Sequence, residues 1–250
     1  MASHYSSIGF CVESDEEWVQ LLERCNEMAE SRENEQSRYL LWKVSEEIEL
    51  ILPLDEEGKV FACHPHFAGK GRMKATLEHF YPGSKYPLDI TLLAWVKHEI
   101  SHFGEMTGDF PFVFDPPEYG SFLALKPFPR SVNLQIAAFA HRLQCFIDEE
   151  DYLLAQESGG LMYAAESFVP IGMFVENDKD PEAIAFFSGK VLEAEKKQNP
   201  ETGAEFWYLL VKTLGGTIDV VADPELMAGV PVEEGIVCGE FWLSGKLAEE

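Results

Sequence analysis

Hydrophobic and polar positions divide the chain into an amphipathic helix followed by many short strands. Residues 5–12 are mostly apolar and suit a strand. Ser14-Asp15-Glu16-Glu17 is a capping box, in which Ser14 caps and Glu17 reaches back. Trp18, Leu21, Leu22, Cys25 and Met28 then recur at helical spacing, behind acidic residues that suit the helix dipole. The polar stretch 30–38 reads as a solvated turn. From residue 39 the pattern changes: 39–44, 48–54 and 60–66 are apolar or alternating runs, with a hairpin signal at Asp55-Glu56-Glu57-Gly58. Further strands are predicted at 72–80, 90–96, 111–114, 122–125, 132–140, 143–147 and 152–155. Prolines at 82, 87, 111, 116, 117, 127 and 129 argue against long helices in that region.

Glu176-Asn177-Asp178-Lys179-Asp180-Pro181 has the polar, turn-forming character of a linker. It separates an expected α+β domain (1–177, mostly antiparallel β with one clear helix) from a segment at 183–250, with 178–182 as linker. That segment offers strands at 183–194, 205–214 and 217–222 and a final pair around 236–247. A loop at 196–203, a Gly215-Gly216 turn and a turn or short helix at 223–228 join them. The pattern resembles a small OB-type barrel, and an SH3-like barrel fits it too. Within 1–177, Asp55-Glu56-Glu57 before Val60-Phe61-Ala62 is echoed by Asp148-Glu149-Glu150 before Leu153-Leu154-Ala155. Two related modules, about 1–80 and 81–177, would give this echo, and so would two independent acidic turns ahead of apolar strands.

Composition narrows the function. The chain has 250 residues and a net charge of −25, with 46% hydrophobic and 25% charged residues. The apolar share supports a folded core, while the acid excess opposes binding to double-stranded nucleic acid or an anionic membrane. The five cysteines (11, 25, 63, 145 and 238) are scattered, which suits reduced thiols. The first residues lack the basic and apolar regions of a secretory signal, so cytoplasm is the expected compartment.

His98-Glu99-Ile100-Ser101-His102 resembles the HExxH string of zinc metalloproteases. On a helix, His98 and His102 would share a face toward zinc and Glu99 would activate the bound water. The preceding segment, 90–96, is β-branched and aromatic and reads as a buried strand, which favours a polar loop here instead. In Cys63-His64-Pro65-His66, an extended backbone would turn His64 and His66 to one face, as a metal pair or as two half-exposed histidines. Gly69-Lys70-Gly71-Arg72 is a basic, glycine-flanked turn similar to a phosphate-cradling loop, but it lacks the P-loop spacing and reads as a solvated hairpin turn. No nucleophile elbow or dinucleotide fingerprint occurs.

The strand-helix-strand-strand-strand order of 5–67, preceded by His4, resembles one module of the vicinal oxygen chelate (glyoxalase-like) family. That resemblance implies paired modules around a metal held by His and Glu, with His4 as a ligand. Phe206, Trp207, Tyr208, Phe241 and Trp242 suggest a stacking platform for single-stranded nucleic acid, but the segment's few lysines are heavily outnumbered by acids. The expected function is therefore a non-enzymatic protein-binding module with a basic partner. The alternatives are a metal-dependent enzyme and an OB-type single-strand binder. Zinc is the implied cofactor only if the HExxH string is a metal site.

Overall fold

The computed structural model describes residues 4–34, 36–83, 89–97, 99–100, 106–157, 162–176 and 179–248. A 3-10 turn, Ser6–Ile8, precedes α1 (Asp15–Met28), β1 (Glu30–Asn34), β2 (Ser37–Lys43), β3 (Ile48–Leu54) and β4 (His64–Phe67). Next come β5 (Met73–Pro82), β6 (Ile90–Val96), β7 (Glu99–Ile100), β8 (Met106–Thr107) and β9 (Phe110–Phe114). They lead to α2 (Tyr119–Leu123), the long β10 (Arg130–Phe146), α3 (Glu149–Gln156) and β11 (Ser167–Val169). β12 (Ile184–Gln198), β13 (Glu205–Thr213), β14 (Gly216–Ala222), β15 (Met227–Ala228) and β16 (Ile236–Leu247) complete the order. Half of the structure is strand, with three α-helices among the described residues, in keeping with an α+β class.

Two sheets carry the architecture. β1-β2-β3-β4 form an antiparallel sheet. In the larger sheet, pairing runs β10-β16-β12-β13-β14 and returns from β14 to β10, the one parallel step of a five-strand ring. β5 also pairs with the start of β10 and carries β6 and β9 beside it. Asp115, just past β9, bridges back to Ser244 of β16. β10 thus joins the ring to the β5-β6-β9 extension, and strands from both sides of the expected 178–182 linker pair with each other.

Alternation along β10 sorts its side chains between two cores. Leu134, Ile136, Ala138 and Ala140 enter the interior of the large sheet, with Leu209, Val211, Val220 and Leu243. Ala137 and Phe139 face the other way, onto a layer built from α1 and the small sheet with Leu21, Cys25, Trp42, Leu50 and Phe67. Gln135 shares that second face and is also buried. A polar side chain thus lies between two sheets, which sets up the site below.

α1 forms as its capping box predicts, with the Ser14 and Glu17 side chains each bonded to the other's backbone. β3 and β6 match their apolar runs. Residues 5–12 are not a strand: Gly9, at φ +80, closes the 3-10 turn onto Ser6 O, and Ile8 and Phe10 are buried. The strand-helix-strand order behind the chelate-family resemblance is therefore absent. Residues 30–38 form a hairpin, because β1 exposes its polar side chains while its backbone pairs with β2. In 60–66 the strand is shorter, since Val60 only bridges Leu54 and β4 starts at His64.

Residues 122–125 are the end of α2 and its closing turn, and 152–155 lie within α3. Phe122 of α2 packs on Phe114, and Tyr152 of α3 packs on Phe146. Asp148 accepts the Asp151 N–H and so starts a helix, whereas Asp55 accepts the Lys59 N–H and Gly58 turns a hairpin at φ +81. The two acidic echoes therefore fold differently, because an acidic cluster serves a helix N-terminus as well as a turn. The strands expected at 132–140 and 143–147 are one strand with a bulge at His141. The final pair is likewise the single strand β16, and β12 extends into the expected 196–203 loop.

Because β10 closes the ring, a fragment of residues 183–250 lacks one of its five strands. Such a fragment is expected to give a collapsed, poorly dispersed amide NMR spectrum. A dispersed spectrum with cooperative unfolding would contradict this role for β10.

Candidate functional site

The Gly69-Lys70-Gly71-Arg72 turn does hold an anion, and the anion is internal. Asp219 on β14 accepts the Lys70 N–H at 2.9 Å and the Tyr208 hydroxyl at 3.1 Å on Oδ1. Its Oδ2 accepts the Gly71 N–H at 2.8 Å and the Gln135 amide at 2.7 Å. A side chain at Gly69 would run into this carboxylate, and a Cβ at Gly71 would lie 2.8 Å from Oδ2. The glycines thus bring the backbone close enough for its amides to reach the carboxylate. Burial pushes the Asp219 carboxyl up, while the donors from Gln135, Gly71, Tyr208 and Lys70 pull against that shift.

The network continues across the sheet interface. Gln135 Nε2 also donates to Phe67 O, so its Oε1 faces His66 Nε2 at 2.7 Å as acceptor. His66 therefore carries its proton on Nε2, and Nδ1 accepts the Ser244 hydroxyl at 2.9 Å. Burial and then the Lys246 charge hold His66 down at about 3, so the imidazole stays neutral. β4, β10, β13, β14 and β16 are joined by this one polar chain.

Beside it, at the edge of the two sheets, lies a cavity of about 500 Å³. Leu41, Lys43, Glu46, Glu49, Ala68, Gly69 and Arg72 line one side, and Gln135 with Lys246, Leu247 and Ala248 another. Glu118, Ser121 and Phe122 close the end near α2. Lys246 Nζ lies 2.8 Å from Glu49 Oε2 and 2.6 Å from Glu118 Oε1, and Lys43 Nζ lies 3.4 Å from Glu49 Oε1. Burial works to raise Glu49, but Lys246, with His66 and Lys43 behind it, outweighs that and the carboxyl sits below its ordinary value. Burial and then Glu118 push Tyr39 up to about 12.

Among the described residues, the histidines read as metal ligands take separate partners. His64 faces Asp89 at 3.4 Å, whereas His66 is committed to Ser244 and Gln135. Glu99 lies in β7, paired with Thr107 in extended backbone and not in a helix, and His98 and His102 lie outside the described residues. His4 Nε2 meets His141 Nε2 at 3.0 Å with the rings parallel to within 9°, so one N–H···N bond occupies both nitrogens. Among the described residues no cluster of three or more metal-ligating side chains occurs. Phe206, Tyr208, Phe241 and Trp242 are buried and present no stacking platform. All five cysteines are free thiols, and no helix is long and apolar enough to cross a membrane.

A second surface stands out at the end of β10. Ile147 is 75% exposed, Val230 69% and Leu154 56%. β15 runs parallel to β10 through Leu143↔Met227 and Gln144↔Ala228, and the loop with Val230 and Val232 follows it. Acids flank these side chains in sequence: Asp148, Glu149, Glu150 and Asp151 on one side, Glu233 and Glu234 on the other. Lys190 pairs with Glu234 and lies in the field of Glu149 and Glu166. The chain matches no known protein family, no curated protein and no solved structure.

Sequence reading found the glycine loop but missed Asp219, Gln135, Glu49 and Lys246. Asp219 lies 149 residues beyond Lys70, a separation that no short motif spans.

The buried titratable groups predict opposing pH effects. Asp115 accepts from Thr91 and Trp242, and burial lifts its carboxyl to about 6. A raised folded value means its stability contribution is full below the unfolded value near 4 and lost as pH climbs through 6. Asp115→Asn keeps an acceptor for Trp242, so wild type should lose about 2 kcal/mol relative to this variant between pH 4 and 6. His66, depressed to about 3, acts oppositely: wild type should gain on His66→Gln as pH rises from 3 to 6.5. Urea unfolding across pH checks both, and parallel curves would refute the assignment.

Proposed function

We propose that the protein is a non-enzymatic binding module that docks a basic, partly apolar segment of a partner protein at the end of β10. The observation that carries this reading is the exposure of Ile147, Leu154 and Val230 among Asp148, Glu149, Glu150, Asp151, Glu233 and Glu234. Exposed aliphatic side chains grouped together are a surface to be covered. Their acidic border favours Lys and Arg on whatever covers them, and the overall charge of −25 steers such a partner in. We read the five-strand ring as a small closed barrel of the OB type that acts as a rigid frame for this surface. Its single parallel step and continuous pairing support that reading.

A synthetic amphipathic helix of Lys and Leu is the appropriate probe, measured by fluorescence anisotropy on the whole chain. It should bind at low salt and weaken as salt is raised, while a Glu/Leu counterpart should not bind. Ile147→Asp combined with Val230→Asp should cost at least about tenfold in affinity. Equal binding of both peptides, salt-independent binding, or full affinity in the double variant would overturn the reading. Concentration-dependent self-association through this face would overturn it as well.

A further inference from the structure

We infer that the cavity between the two sheets is a receptor for a small zwitterion of the amino-acid type, a site separate from the partner-docking surface. Three charged groups are withdrawn from water at its floor: the side chains of Glu49, Glu118 and Lys246 are 4%, 17% and 21% exposed. Such a triad is a poor device for stability, because desolvating three ions costs more than packing apolar side chains of the same size. It is a good device for recognition, since its charges are held in place before a ligand arrives. The holding is visible. Gln135 in the cavity floor is locked by His66, Phe67 and Asp219, so the wall behind the charges is rigid.

Valence points to an occupant. An ammonium has three N–H donors. Among the described residues Lys246 Nζ gives two of them, to Glu49 and Glu118, which leaves one for an acceptor inside the cavity.

Charge balance selects the class of ligand. The lining carries three bases (Lys43, Arg72 and Lys246) and three acids (Glu46, Glu49 and Glu118), so its field is dipolar. A simple anion is repelled by the −25 charge of the whole chain, and a simple cation meets the Lys43 and Lys246 charges beside Glu49. A molecule with a carboxylate and an ammonium a few bonds apart gains from both sets at once. The volume of about 500 Å³ falls in the range of small-molecule sites and admits a free amino acid or a dipeptide.

The test is a thermal-shift and calorimetric series on the whole chain with glycine, glutamine, glutamate and dialanine. Succinate and putrescine at matched ionic strength are the single-sign controls. At least one zwitterion should raise the melting temperature by several degrees while both controls leave it unchanged. Ala68→Leu, which fills the cavity without touching a charge, should abolish the shift. Lys43→Met, at a more exposed position on the rim, should weaken binding about tenfold and covers the case in which Ala68→Leu fails to fold. A shift from succinate or putrescine as large as from any zwitterion would overturn the ligand class. No shift from any probe, or a shift that survives both variants, would overturn the site.

Discussion

The Asp219 carboxylate is the constraint on which the rest of this structure depends. Fully buried, it accepts four hydrogen bonds, two from the backbone of the 69–72 turn and two from side chains of β13 and β10. An unpaired carboxylate in such a place would cost several kcal/mol, so the surrounding donors have little freedom to move. The turn is therefore fixed against β14, Gln135 is fixed against His66, and the small sheet is fixed on the large one. The cavity inherits its rigidity from this arrangement, since Gly69, Arg72 and Gln135 all belong to its wall.

Local signals in the sequence were legible where local physics decides. The α1 capping box and the apolar runs of β3 and β6 are short-range features, and each formed as read. Where a segment's state is set by distant partners, the same reading failed. Phe122 and Tyr152 are apolar residues that look like strand positions, yet each sits on a short helix pressed against an aromatic ring from another element. β10 looked like two strands because His141 interrupts its apolar run, and only its pairing with β16 shows one strand with a bulge. The site divides in the same way. The glycine-flanked turn reads as a solvated hairpin turn, and nothing near it in sequence shows that its amides hold Asp219. The acid–base chain of Lys43, Glu49, Lys246 and Glu118 draws on β2, β3, β16 and the approach to α2, and is assembled only by the contact between sheets.

Charge looks different once it is placed. As a total, −25 excluded phosphate backbones and said little else. In the structure part of the excess flanks, along the chain, exposed aliphatic side chains at the end of β10. Another part is paired off inside the cavity, where acids and bases balance. Both places belong to one frame built around β10.

The most direct test of that network is Asp219→Asn. The substitution turns one carboxylate oxygen into an NH2 group, and in either orientation a loop N–H, of Lys70 or of Gly71, then faces a donor. Native-state hydrogen exchange, read at those two amides with urea unfolding alongside, reports on both the loop and the fold. The account predicts that these amides lose protection and that the variant is less stable by about 2 kcal/mol or more. Unchanged protection at both amides with an unchanged unfolding midpoint would contradict it.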